Sequence, residues 1–297
     1  MDGTDARGAT GHNSGDKYSL IDVRPISPHV GAEIHGVDLA QPLSDQVLSE
    51  IEDAYREYGV IFFREQTLSP EQHVAFARKF GDIDINSFFK AVEGYPMIAE
   101  VRKEPEQTTN IGGGWHTDHS YDVRPAKGSM LFARELPPVG GDTMFASMYA
   151  AYEALSPGLK QTLEGMKALH SSRHIFGHDG RAHMNKDIDG RIVNPDLATQ
   201  DAIHPVVIRH PETGRKTLYV NRSFTVKFDG WTVDESRPLL NYLYEFASKA
   251  EFICRFRWAP GSLAFWDNRS TWHYAINDYH GDRRLLHRVT IAGSALI

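Results

Sequence analysis

Histidine, aspartate and arginine recur in this chain at spacings that metal and anion chemistry requires. The sharpest local element is Trp115-His116-Thr117-Asp118. In an extended segment residues i and i+2 point to the same side, so His116 and Asp118 can share one metal ion. His273, within Trp272-His273-Tyr274-Ala275, is the candidate third ligand. Two histidines and one carboxylate on one face leave coordination positions open, the arrangement that non-haem iron(II) oxygenases use. His-x-Asp alone is weak evidence, and by itself it reads first as a strand histidine bonded to its neighbour. Further on, Arg284, Leu286, Arg288 and Thr290 would line one face of a strand. Two guanidinium groups facing inward would be costly without anions, and their forked donors match carboxylates. One dicarboxylate cosubstrate and one anionic substrate would satisfy both. On an edge strand they would instead be two solvated arginines.

The elements that must carry these residues are legible in part. Ser44 caps a helix with apolar residues at Val47, Leu48, Ile51, Ala54, Tyr55 and Tyr58, ended by Gly59. Ser69-Pro70-Glu71-Gln72 is a capping box that opens a helix running to Gly81, and Val60–Phe63 between the two reads as a buried strand. Further helices are predicted over 147–155, 157–168 and 233–249. Phe252 to Trp258 alternates, Ala259-Pro260-Gly261-Ser262 turns, and Leu263 to Trp266 returns, which reads as a hairpin. Leu285 to Ile291 reads as a strand. Short strands with helices alongside predict an α+β fold, an antiparallel β-sandwich or jelly roll with helical elaborations.

The 297 residues suffice for one large domain with a buried core. Residues 1–17, rich in Gly, Asp and Ser, predict a disordered tail, and 18–297 a single domain without linker or repeat. That opening segment has no apolar stretch, so no secretory signal of the usual build is expected. No apolar run is long enough for a membrane span. A single cysteine, Cys254, cannot form an internal disulfide and fits a reducing, cytoplasmic compartment. The formal net charge of −7 argues against nucleic acid as a partner but leaves room for a locally basic pocket and a small anion.

With these residues in hand, the sequence resembles the taurine dioxygenase / 2,4-dichlorophenoxyacetate dioxygenase (TauD/TfdA) family of iron(II)- and 2-oxoglutarate-dependent enzymes. The shared features are Trp115-His116-Thr117-Asp118, Gly140-Gly141-Asp142-Thr143, Trp266-Asp267-Asn268-Arg269, His273-Tyr274-Ala275, Asp278-Tyr279 and the Arg284/Arg288 pair. They run in matching order from about residue 20 to the C-terminus. The resemblance implies a double-stranded β-helix (jelly roll) with flanking helices, and His116, Asp118 and His273 as Fe(II) ligands. It implies that Thr143 and Arg284 hold the distal carboxylate of 2-oxoglutarate, that Arg288 lies near the iron and meets the substrate's anionic group, and that O2 is the oxidant. Members are often dimers or tetramers. The implied reaction hydroxylates a small anion, a sulfonate, alkyl sulfate or aryloxy or other carboxylic acid, often with collapse to a carbonyl and release of a leaving group.

The departures bear on substrate. Asn86 stands where taurine-specific members have His, Phe89 where they have Tyr, and Gly112 where they have Asn; His119 replaces a small apolar residue after the metal Asp. The polar contacts made to taurine are altered or lost, so taurine itself is disfavoured. A larger anion with an apolar or aromatic body fits better.

Two other classes remain in view: a zinc hydrolase using the same His/Asp/His set with an activated water, and a non-catalytic anion-binding sandwich. The histidine-rich stretch 173–183 is interrupted by glycines, which predicts a solvated mobile loop, with 173–190 a lid over the site, rather than a second metal site at His174 and His178. Gly112-Gly113-Gly114 lacks the lysine of a phosphate loop, no Gly-x-Ser-x-Gly element appears, and Cys254 alternates with apolar residues as a core position.

Overall fold

The computed structural model describes residues 17–182, 186–188 and 190–296. The predicted tail thus lies outside the described residues apart from Lys17, and so does His183.

Two facing sheets form the centre. The larger runs in the order Asp22–Pro25, Ala32–His35, Val60–Phe63, Leu263–Asp267, Gly128–Glu135, Arg284–Ile291, Tyr95–Lys103 and Ala91–Val92, with Ile83–Asp84 also paired to Arg284–Ile291. Its pairings are antiparallel except Ala32–His35 against Val60–Phe63. Facing it is an antiparallel sheet in the order Ile253–Phe256, Thr143–Ser147, Thr271–Ala275.

The period-two side-chain alternation of strands assigns each face. Val60, Phe62, Leu131, Ala264, Trp266 and Leu286 of the larger sheet pack inward on Phe145, Cys254 and Phe256 of the smaller. Phe62 stacks on Phe256 with ring centroids 4.0 Å apart. The alternate residues Ile61, Phe63, Met130, Phe132, Phe265, Val289 and Ile291 face outward and are covered by helices Asp45–Tyr58 and Pro70–Ala77. The smaller sheet is backed by helices Met148–Ala154 and Val233–Ala247, against which Ala146 and Trp272 pack. Both faces of the larger sheet are therefore buried, and Arg284 and Arg288, which their spacing places on one face, point to the interior and not to solvent.

The caps behave as read. Ser44 accepts from Val47 N, Gly59 takes the left-handed conformation, and the Ser69/Gln72 capping box is complete. Several boundaries differ. The helix from Pro70 ends at Ala77, short of Gly81, and that from Pro157 ends at Leu163, where a turn leads into strand Lys167–Ser171. The expected hairpin is wrong. Ile253–Phe256 pairs with Thr143–Ser147 in the smaller sheet, while Leu263–Asp267 pairs with Val60–Phe63 and Gly128–Glu135 in the larger. The turn at 259–262 crosses between the sheets, so the two runs face each other through the core. The stretch after Ser172 is also not an open loop: Arg173–Phe176 and His178–Ala182 are short helices, and Phe176 is buried.

Candidate active site

The segment holding His116 pairs with strand Thr271–Ala275 through a single antiparallel bridge, His116 N to His273 O at 3.2 Å and His273 N to His116 O at 2.8 Å. This reciprocal pairing sets the two imidazoles side by side, 4.0 Å between centroids. Asp118 Oδ1 completes the group at 3.8 Å from Nε2 of each histidine. All three residues are buried, and one ligand atom from each falls within a 4.8 Å cluster. The His-x-Asp spacing does what an extended segment allows.

The protonation states suit a cation. Burial is the largest influence on His116 and His273 and holds both pKa values below the ordinary imidazole range. Burial would raise that of Asp118, but Arg288 and then His273 and His116 hold the carboxyl well below its usual range. The site therefore presents two neutral imidazoles and a carboxylate, not two ion pairs. His116 Nδ1 donates to Gly114 O at 2.7 Å, which leaves the Nε2 lone pair facing Asp118. The His273 ring is oriented by packing on Trp266 and Phe145.

A hydrogen-bonded frame holds Asp118. Ser129 Oγ donates to Oδ2 at 2.9 Å, and Asn268 Nδ2 donates in turn to Ser129 Oγ at 3.1 Å. Asn268 Oδ1 accepts from Asp118 N and from Trp266 Nε1, and Thr117 Oγ1 donates to Asn268 O. The turn that presents Asn268 is locked by buried Asp267, which accepts from Arg269 and His210. Asn268 sits in a motif visible in the sequence; Ser129, a serine on a buried strand, carries no such signal.

Arg284 and Arg288 are buried, and in each the Nε and Nη2 donors have no hydrogen-bond partner among the described residues. Arg284 lies between Trp258 and Tyr279, 5.7 and 5.8 Å from their ring centroids. Trp258 Nε1 donates to Thr143 Oγ1 at 3.0 Å, so the Thr143 proton is free to donate. The Gly140-Gly141 turn has φ of +85° and +69°, and Gly141 N donates to Asp278 Oδ1 at 2.7 Å. A Cβ at Gly141 would sit 3.1 Å from Arg284 Cδ, which is why this approach takes glycine. Buried cations with unfilled donors require anions, so these residues fit a carboxylate cosubstrate.

Arg288 Nη1 donates to Asp118 at 3.3 Å, and its guanidinium carbon lies 4.3 Å from the centre of the Phe89 ring. Both line a cavity of about 570 Å³ together with His116, Asp118, His273, Thr143 and Arg284. Its remaining walls are largely apolar, with Ile111, Tyr121, Phe176, Ile192 and Phe224. These side chains were not singled out from the sequence, because they come from distant segments with no shared pattern. Asn86, Gly112 and His119 also line the cavity. Gly112 contributes backbone only, its carbonyl accepting from Ala275 N. Asn86 and His119 are bonded to one another at 3.0 Å. His174 and His178 do not meet: the first bonds Ser223 O and the second Asp196.

The chain matches the family described as "Taurine catabolism dioxygenase TauD, TfdA family" over residues 22–290. It is 34% identical to an alkylsulfatase of Acinetobacter baylyi, over 92% of this chain and 85% of that protein. It is 34% identical to the (S)-phenoxypropionate/alpha-ketoglutarate-dioxygenase of Sphingobium herbicidovorans, over 92% and 95%. The crystal structure of AAD-2 with Mn(II) and N-oxalylglycine superposes with a TM-score of 0.77 at 31% identity, covering 92% of this chain and 98% of that one. The chain belongs to the TauD/TfdA family and is an Fe(II)- and 2-oxoglutarate-dependent dioxygenase with a jelly-roll core.

Proposed function

We propose that the enzyme hydroxylates a small organic anion with an apolar or aromatic body: an alkyl sulfate, a sulfonate, or an aryloxy or other carboxylic acid. The observation that carries this reading is Arg288, a buried guanidinium with two nitrogens that have no partner among the described residues, in the wall of an otherwise mostly apolar cavity. The alkylsulfatase and the phenoxypropionate dioxygenase carry substrates of this description in their names.

In this reading His116, Asp118 and His273 hold Fe(II), while Arg284 and Thr143 hold the distal carboxylate of 2-oxoglutarate. When bound, the metal with 2-oxoglutarate and dioxygen supplies the oxidation, releasing succinate and carbon dioxide and placing one oxygen atom in a substrate C–H bond. The chain's own part is positioning. Arg284 and Thr143 meet the cosubstrate with a fork and a hydroxyl, Arg288 takes the substrate's anionic group, and the aromatic wall excludes water. Which carbon reacts follows from its distance to Arg288. Where the hydroxylated carbon also bears a sulfate or ether oxygen, the new hydroxyl loses its proton, a carbonyl forms, and the C–O bond breaks to release sulfate or phenol.

Taurine is a poor fit, because the Asn86 amide is spent on neighbouring groups and Gly112 has no side chain. A zinc hydrolase would have no use for Arg284 and Thr143. Segment 173–190 serves as a cover in this proposal, with Phe176 and Ile188 in the cavity wall; residues 183–185 and 189 lie outside those described. A cytoplasmic dimer or tetramer is proposed on the family resemblance and the single buried cysteine, and no described helix is long and apolar enough to cross a membrane.

The test is succinate release, in the presence of Fe(II) and 2-oxoglutarate, across hexyl sulfate, phenoxyacetate, hexanesulfonate and taurine. Stimulation by one or more of the first three is expected. Stimulation by taurine alone, or product release without oxygen, would sink the reading.

A further inference from the structure

Asn86 and His119 line the cavity, but the donors around them leave little freedom. Asn86 Oδ1 accepts from Phe88 N at 2.9 Å and from Phe89 N at 3.1 Å. Two backbone donors at one end of the amide settle which end is oxygen, so Nδ2 is the atom facing His119 Nε2 at 3.0 Å. Nδ2 can only donate; Nε2 must therefore accept, and the ring proton sits on Nδ1. There it meets Asp122 Oδ2 at 3.1 Å and Asp84 Oδ2 at 3.3 Å. Turning the amide over would set donors against donors at Phe88 and Phe89. The His119 backbone is left-handed, φ +58°, an uncommon conformation for a non-glycine residue, and its side chain is only 7% exposed. The chain of contacts then continues from Phe89 to Arg288, whose guanidinium carbon lies 4.3 Å from the Phe89 ring centre.

We propose that His119 is a positioning residue: anchored by Asp84 and Asp122, it orients Asn86, which seats Phe89 against Arg288 and so aims the free Nε and Nη2 of Arg288 at the substrate's anion. Asn86 and His119 set substrate affinity through this strut rather than by touching the substrate as a polar pair. The inference rests on the reading of Arg288 as the anion site.

Two substitutions separate the two ends of the imidazole. His119→Asn places an amide near the Nδ1 position, keeps a donor for the aspartates, suits the left-handed backbone and loses the acceptor for Asn86. His119→Gln reaches the Nε2 position and keeps an acceptor for Asn86. With hexyl sulfate and phenoxyacetate as probes, His119→Asn should raise substrate KM about tenfold, the loss expected of one buried hydrogen bond. His119→Gln should stay within about threefold of the parent by the same arithmetic. Both should keep the 2-oxoglutarate KM and the anaerobic Mn(II) affinity of the parent. Equal losses in the two variants, or a matching loss of 2-oxoglutarate affinity, would overturn the strut. A crystal structure of His119→Asn decides the matter even if the parent turns over neither probe, a result that would count against the functional reading alone. Phe89 displaced from Arg288 supports the proposal, and an unmoved pair overturns it.

Discussion

Ser129 Oγ donates to Asp118 Oδ2 at 2.9 Å, which leaves Oδ1, 3.8 Å from Nε2 of both His116 and His273, as the oxygen turned toward the imidazoles. One hydroxyl thus pins one oxygen of the carboxylate, while the other, which also accepts from Arg288 Nη1 at 3.3 Å, is the one turned toward the imidazoles. Outer partners of this kind fix ligand geometry and tune affinity.

Ser129→Ala should therefore weaken anaerobic Fe(II) or Mn(II) binding by about tenfold, the low end for loss of such a partner. Arg288 still touches the carboxylate, so the loss should be partial. Isothermal titration of the metal measures it; unchanged affinity would show that Asn268 and Arg288 hold Asp118 without the serine.

Adding Fe(II) and 2-oxoglutarate without oxygen should produce a weak visible charge-transfer band, and Asp118→Ala should abolish it. A band that survives would remove Asp118 from the ligand set.

Arg284→Ala should raise the 2-oxoglutarate concentration needed for half-maximal turnover by about thirtyfold or more, as expected for a buried fork facing a carboxylate. Arg284→Lys should recover only part, since an ammonium offers charge without the fork. Steady-state kinetics in 2-oxoglutarate give the answer. A KM unaffected by either change would place the distal carboxylate elsewhere.

His73, on the inner face of helix Pro70–Ala77, is wholly buried, neither ring nitrogen has a partner among the described residues, and burial, with Arg134 and His287 beside it, pushes its pKa down to about 3. Folded, it stays neutral; unfolded, it takes up a proton below its ordinary value of 6.5. The unfolded state therefore binds more protons between those two values, so this residue has no such effect above pH 6.5 and destabilises increasingly as pH falls from there toward 3. His73→Phe removes the penalty, about 2 kcal/mol at pH 5. Thermal melts from pH 7.5 to 5 should show the variant's relative stability rising steadily with acid. A constant offset would show that His73 does not titrate between the two states.

How much was legible can be judged residue by residue. The capping residues at Ser44 and Ser69, the shared side of His116 and Asp118, and the common face of Arg284 and Arg288 depend on groups within a few residues of each other. Backbone geometry and hydrogen-bond reach act over that distance, so the sequence by itself determined them. The role proposed for Thr143 came with the family resemblance, not from spacing.

What tertiary structure decided is which distant groups meet. Alternation marks Ile253–Phe256 and Leu263–Asp267 as strands but is blind to partner, and a tight turn between two strands does not tell a hairpin from a crossing between sheets. The same holds for the His116–His273 bridge, for Ser129 beneath Asp118, and for the commitment of the Asn86 amide to Phe88, Phe89 and His119. Each is a non-local contact chosen because the whole core packs around it, and no local pattern of residue types encodes that choice.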